Sequence, residues 1–130
     1  MEYDSNRDVI YNFGGNYPES GKLHRFDIEK FVWEELNPKG DGPGLAAKDG
    51  PGLAFDPIND VLLIYNSGQL WAYHPKDDRW EAIKTKTHPQ DRGYVFGRFR
   101  YDPINKGVWL HNWESNKHTT WFFRYAKTVK

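Results

Sequence analysis

The sequence has 130 residues, and its 18 Lys and Arg balance 18 Asp and Glu to a formal net charge of zero. That balance gives no positive field for nucleic acid or an anionic membrane, and the absence of cysteine excludes disulfides, thiolate metal sites and cysteine nucleophiles. The longest apolar run, residues 61–65, is too short to cross a bilayer, the start Met1-Glu2-Tyr3-Asp4 has no signal pattern, and the 17% aromatic content suits the core of one modest soluble domain.

Taken in order, the chain repeats itself. Residues 1–3 read as a short strand ending in an aromatic residue ahead of Asp4, and the same pattern returns at residues 53–55 before Asp56 and at 99–101 before Asp102. Phe55-Asp56-Pro57-Ile58-Asn59 recurs as Tyr101-Asp102-Pro103-Ile104-Asn105, 46 positions on. The aspartate is suited to accept backbone N–H groups in a turn whose φ the proline presets. The first copy, Asp4 to Arg7, lacks the proline. A second strand follows each turn, at 8–13, 60–66 and 107–112. Its near-continuous apolar character predicts a strand covered on both faces.

The exits from these strands are Gly14-Gly15, Asn66-Ser67-Gly68 and Asn112-Trp113-Glu114. Third strands are expected at 23–26, 70–73 and 121–125, and fourth strands at 31–36 and 79–83. Trp33 stands seven residues after Phe26, and Trp80 seven after Tyr73. Both tryptophans are expected to be largely buried. No equivalent strand follows Tyr125, so the expectation is eleven strands in three antiparallel sheets, the last without its outer strand. A period of this length built from short strands is the pattern of propeller blades, here residues 1–36, 52–84 and 97–130 of a single domain. The connection 37–52 carries Asp41-Gly42-Pro43-Gly44-Leu45-Ala46 and then Asp49-Gly50-Pro51-Gly52-Leu53-Ala54, which reads as a tandem duplication lengthening a surface loop.

With Gly14-Gly15, Phe26, Tyr73 and the matched steps to Trp33 and Trp80, the chain resembles kelch repeats, the blades of the galactose-oxidase type of β-propeller. The ending Thr120-Trp121-Phe122-Phe123-Arg124-Tyr125 is similar to that of kelch-like domains in bacterial proteins. The resemblance implies an all-β fold of kelch-like blades, half of a six-bladed propeller. It implies no single activity, because kelch-like propellers serve as enzymes, sugar binders and protein-binding scaffolds. The copper-radical oxidases of that fold use a tyrosine crosslinked to cysteine, which this chain cannot form.

Alternating strands place the loops after the second strands and the connections between blades on one face. These loops carry Asn16, Tyr17, Glu19, His88, Arg92, Tyr94, Trp113, Asn116 and His118, a polar and aromatic set suited to a glycan or a protein ligand. Trp113, Tyr94, Arg92, His118, Asn116 and Tyr17 are the expected ligand-binding residues, with Trp113 foremost because a large aromatic side chain in a polar loop stacks on a ligand. The alternative for each is an ordinary solvated loop residue, or packing on a neighbouring blade. Asn12, Asn66 and Asn112 are read as strand terminators bonding turn backbones. The five histidines show no pair at metal-ligand spacing, no serine sits in a nucleophile elbow, and no cofactor is implied. The expectation is a non-catalytic binding or scaffold module; the alternative is a fragment of a larger propeller enzyme or carbohydrate-active protein whose catalytic residues lie outside this chain.

Three blades close no ring. Val9, Tyr11, Val108, Trp109, Leu110, Trp121 and Phe123 are too many large apolar residues for two solvated end faces, which predicts a homodimer completing a six-bladed ring through two equivalent junctions.

Overall fold

The computed structural model describes residues 1–14, 21–89, 93–114 and 117–126. Sheet 1 holds β1 (Glu2–Asp4), β2 (Val9–Phe13), β3 (Leu23–Asp27) and β4 (Val32–Leu36). Sheet 2 holds β5 (Gly52–Asp56), β6 (Val61–Asn66), β7 (Gln69–His74) and β8 (Arg79–Ile83), and sheet 3 holds β9 (Phe99–Asp102), β10 (Gly107–Glu114) and β11 (Lys117–Phe123). Each strand pairs antiparallel with its neighbour in sequence, so the fold is all-β with three blade-like sheets and no closed ring. Among the described residues β11 has no fourth strand beside it.

The repeated aspartates build the first turn of every sheet. Asp4 Oδ1 accepts the N–H groups of Asn6 and Arg7 at 2.8 and 3.1 Å, Asp56 Oδ1 those of Ile58 and Asn59 at 3.0 and 3.1 Å, and Asp102 Oδ1 those of Ile104 and Asn105 at 2.8 and 3.1 Å. The first turn takes this geometry without proline, so the carboxylate is the organising group. Each turn leaves through a left-handed residue, Asp8, Asp60 or Lys106, with φ of 55°, 57° and 55°. The Asn105 amide, followed by the Trp109 indole N–H, holds the Asp102 carboxyl well below its ordinary range.

Register then produces the same row three times. Tyr3, Ile10, Phe26 and Trp33 lie side by side across sheet 1. Phe55, Leu62, Tyr73 and Trp80 do so across sheet 2, and Tyr101, Val108 and Phe123 across sheet 3. We call this the front of a sheet. The front of sheet 2 packs on the back of sheet 1, where Val9, Tyr11, Phe13 and Leu23 meet Phe55, Leu62, Tyr73 and Trp80. Tyr11 and Tyr73 meet edge to face at 5.7 Å, as do Phe13 and Trp80 at 5.9 Å. The front of sheet 3 covers the back of sheet 2 in the same way, joining Ala54, Leu63, Tyr65 and Ala72 to Phe99, Val108 and Leu110.

Polar ties reinforce both junctions. The Arg7 guanidinium donates to Asp60 Oδ1 and Oδ2 at 2.6 and 2.7 Å while also reaching Asp4. Tyr125 is buried between sheets 2 and 3 and donates its hydroxyl to Glu81; burial and that carboxylate push its phenol up to about 12.

Three expectations change. Every residue of β6 is buried because sheet 2 alone has a neighbour on each side, whereas β2 alternates between buried and half-buried positions. Trp80 is partly buried against sheet 1, whereas Trp33 is 50% exposed, because among the described residues no sheet packs on the front of sheet 1. Of the seven apolar residues assigned to open end faces, Val9, Tyr11, Val108 and Leu110 are buried in the two junctions, and Trp121 and Phe123 pack against the second. Only Trp109 lies on an end face, at 41% exposure.

Candidate functional site

The first strands of the sheets, β1, β5 and β9, gather along one edge of the stack, with β5 touching both others. The long connections turn over the end of this edge, and their glycines decide how closely. Residues 37–43 first run along the outer strand of sheet 2, where Lys39 N–H donates to Asp78 O and Trp80 N–H to Lys39 O at 2.9 and 2.7 Å. A Cβ on Gly42 would stand 2.5 Å from Trp80 Nε1, so only glycine lets the loop close over the indole. Beyond the short 3-10 turn Gly44–Ala47 comes the second copy of the motif. Here a Cβ on Gly50, at φ +59°, would meet the Phe96 ring at 2.6 Å. The duplicated segment therefore does more than lengthen a loop: each copy seats an aromatic ring.

The two connections are also bonded to each other. Tyr94 N–H donates to Asp49 O, and the N–H groups of Val95 and Phe96 donate to Gly50 O, at 2.9, 2.7 and 3.1 Å. Val95 is fully buried, while Tyr94 and Phe96 on either side are 60% and 64% exposed. Both exposed aromatics have positive φ, 54° and 47°, a region that bulky side chains rarely adopt. Arg98 braces the segment by donating to Tyr94 O and His111 O at 3.0 and 2.8 Å.

Beneath these rings is a cleft of about 600 Å³. Its walls include Glu2, Phe13, Lys48, Asp49, Leu53, Tyr94, Phe96, Phe99 and Arg100, drawn from the inner strands of all three sheets and both connections. Burial raises the Glu2 carboxyl above its ordinary value, opposed by the Phe55 backbone N–H and the positive charge of Arg100. The cleft thus offers two carboxylates, two cations and two stackable rings, a set suited to a polar ligand with an apolar face.

The structure divides the residues expected to bind. Tyr94 lines the cleft. Trp113 and His118 lie away from it on the back of sheet 3, where they stack at 5.6 Å as direct cross-strand partners. They are separated because β10 runs on to Glu114 and β11 begins at Lys117, so both residues belong to strands and not to a loop. His88 is exposed, lies against the hairpin glycine Gly68 and approaches Pro89 O at 3.2 Å. Asn16, Tyr17, Glu19, Arg92 and Asn116 lie outside the described residues. Asn66 donates to Ala46 O and Asn112 to Thr119 Oγ1, so the first ties a connection down and the second joins two strands.

Sequence reading missed Phe96, Glu2, Lys48 and Arg100. The first has a local signal, an aromatic residue in a connection two positions beyond Tyr94; the others come together only through stacking of the sheets. It also missed the approach of His111 Nε2 to His118 Nδ1 at 3.1 Å, which the hairpin register creates from positions seven apart. Among the described residues no cluster of three or more His, Asp or Glu is placed to hold a metal ion. Compared with known proteins, the sequence matches no protein-family model and no curated protein.

Proposed function

We propose that the three sheets are consecutive kelch-like propeller blades and that the chain is a non-catalytic module binding a glycan in the cleft under Tyr94 and Phe96. The observation that carries this reading is the pair of exposed aromatics held at positive φ over a polar cleft. Such backbone strain persists only where surrounding structure enforces it, and it concentrates at ligand-binding sites. A pyranose presents an apolar face to an aromatic ring and hydroxyls to its surroundings. Glu2, Lys48, Asp49 and Arg100 supply acceptors and donors for those hydroxyls.

The test is a glycan array followed by calorimetry on the best oligosaccharide, with the double substitution Tyr94→Ala and Phe96→Ala. Each lost ring contact is worth about 1 kcal/mol, so the double variant is expected to bind roughly 30-fold more weakly while melting as a folded protein. Unchanged affinity would exclude the cleft. Binding of a peptide, with no glycan retained, would exclude the ligand class.

A further inference from the structure

Among the described residues two sheet faces are left bare, and they are the two halves of a junction that the chain makes twice internally. At the front of sheet 1, the row Tyr3, Ile10, Phe26 and Trp33 occupies the positions of Phe55, Leu62, Tyr73 and Trp80, which sheet 2 buries against sheet 1. Yet Tyr3 is 49% and Trp33 50% exposed. At the back of sheet 3, Trp109 and Phe122 are cross-strand partners in the places of Tyr11 and Arg25 of sheet 1 and of Leu63 and Ala72 of sheet 2. Tyr11, Leu63 and Ala72 are fully buried, whereas Trp109 and Phe122 are 41% and 37% exposed. Large aromatic residues therefore stand where the repeat elsewhere makes an intersheet contact.

We propose that the occupant of each bare face is a second copy of this chain, the front of sheet 1 in one copy seating on the back of sheet 3 in the other. The inference goes beyond ligand binding and does not depend on it. The occupant is identified by continuity: at both internal junctions the front of one sheet packs on the back of another, and the front row of sheet 1 matches the one that sheet 2 buries. Applying the Tyr11–Tyr73 and Phe13–Trp80 contacts to the new junction places Trp109 against Phe26 of the second copy and His111 against its Trp33. A two-fold axis makes the two junctions equivalent and leaves no face open. Rings of roughly four to eight sheets are stable, and two copies of these three sheets give six, within that range.

Sedimentation at low micromolar concentration tests this, using the wild-type chain, Trp33→Asp, Trp109→Asp and an equimolar mixture of the two variants, with circular dichroism confirming that each is folded. The wild type is expected to be a dimer of 15.3 kDa chains. Each variant alone, carrying a buried charge in both junctions, should dissociate at least about 100-fold more readily. The mixture should form a heterodimer, because one of its two junctions then carries neither substitution. A monomeric wild type, an open polymer, a dimer indifferent to both substitutions, or a mixture no better associated than its components would each overturn the proposal.

Discussion

Replacing Trp80 with alanine is expected to destabilise the chain by about 3 kcal/mol, the lower end for removal of a core tryptophan, because this side chain is not wholly enclosed. Its ring meets Phe13 at 5.9 Å and Tyr73 at 5.5 Å, and Gly42 closes over it from the connection. Alanine would open a cavity between sheets 1 and 2 and leave the connection without its seat. A loss of that size is a large part of the stability of a domain this small. Trp33→Ala, at the equivalent position of sheet 1, should cost about half as much, roughly 1.5 kcal/mol in the dissociated chain, because half of its surface is already in water. Denaturant titration of both variants below the association range is the check. Equal losses, or the reverse order, would contradict the assignment of covered and bare fronts.

Arg7→Met should cost about 2 kcal/mol. The guanidinium makes two bonds to Asp60 across the first junction and one to Asp4, with arginine and Asp60 side chains each 28% exposed and Asp4 fully enclosed. Removing it leaves the Asp4 carboxylate with the Asn6 and Arg7-position N–H groups and the Tyr11 hydroxyl, and without its cation. An enclosed charge losing its partner is penalised more than the intact pair stabilises. A double-mutant cycle with Asp60→Asn should show coupling, since one bidentate contact is counted in both single variants. Additive losses would mean that the clamp does not bind the sheets together.

Most of the fold was legible because it is written at short range. The Asp56 and Asp102 turns, the strands they launch and the seven-residue step to Trp80 are all local, and each recurs. What the repeat could not convey was which copy has neighbours. Trp33 and Trp80 share a register position, and their different burial depends only on whether another sheet precedes. The same limit misplaced Val9, Tyr11, Val108 and Leu110, since alternation does not say which face of a strand meets which sheet.

The candidate site was less legible. Tyr94 could be chosen as an aromatic residue in a connection, but its placement depends on bonds to Asp49 and Gly50, more than forty residues earlier in the chain. Glu2 and Arg100 are strand residues with no motif, joined only because β1 and β9 flank β5. Trp113 and His118 looked like loop residues because the hairpin between β10 and β11 is longer than its counterpart between β6 and β7.

The most direct test of the account is hydroxyl-radical footprinting of Trp33, Trp80 and Trp109 across a dilution series that spans the association range. The account predicts that Trp80 stays protected throughout, while Trp33 and Trp109 are modified in dilute solution and become protected together as concentration rises. Modification of Trp33 and Trp109 that is independent of concentration, or of Trp80 as readily as Trp33, would contradict it.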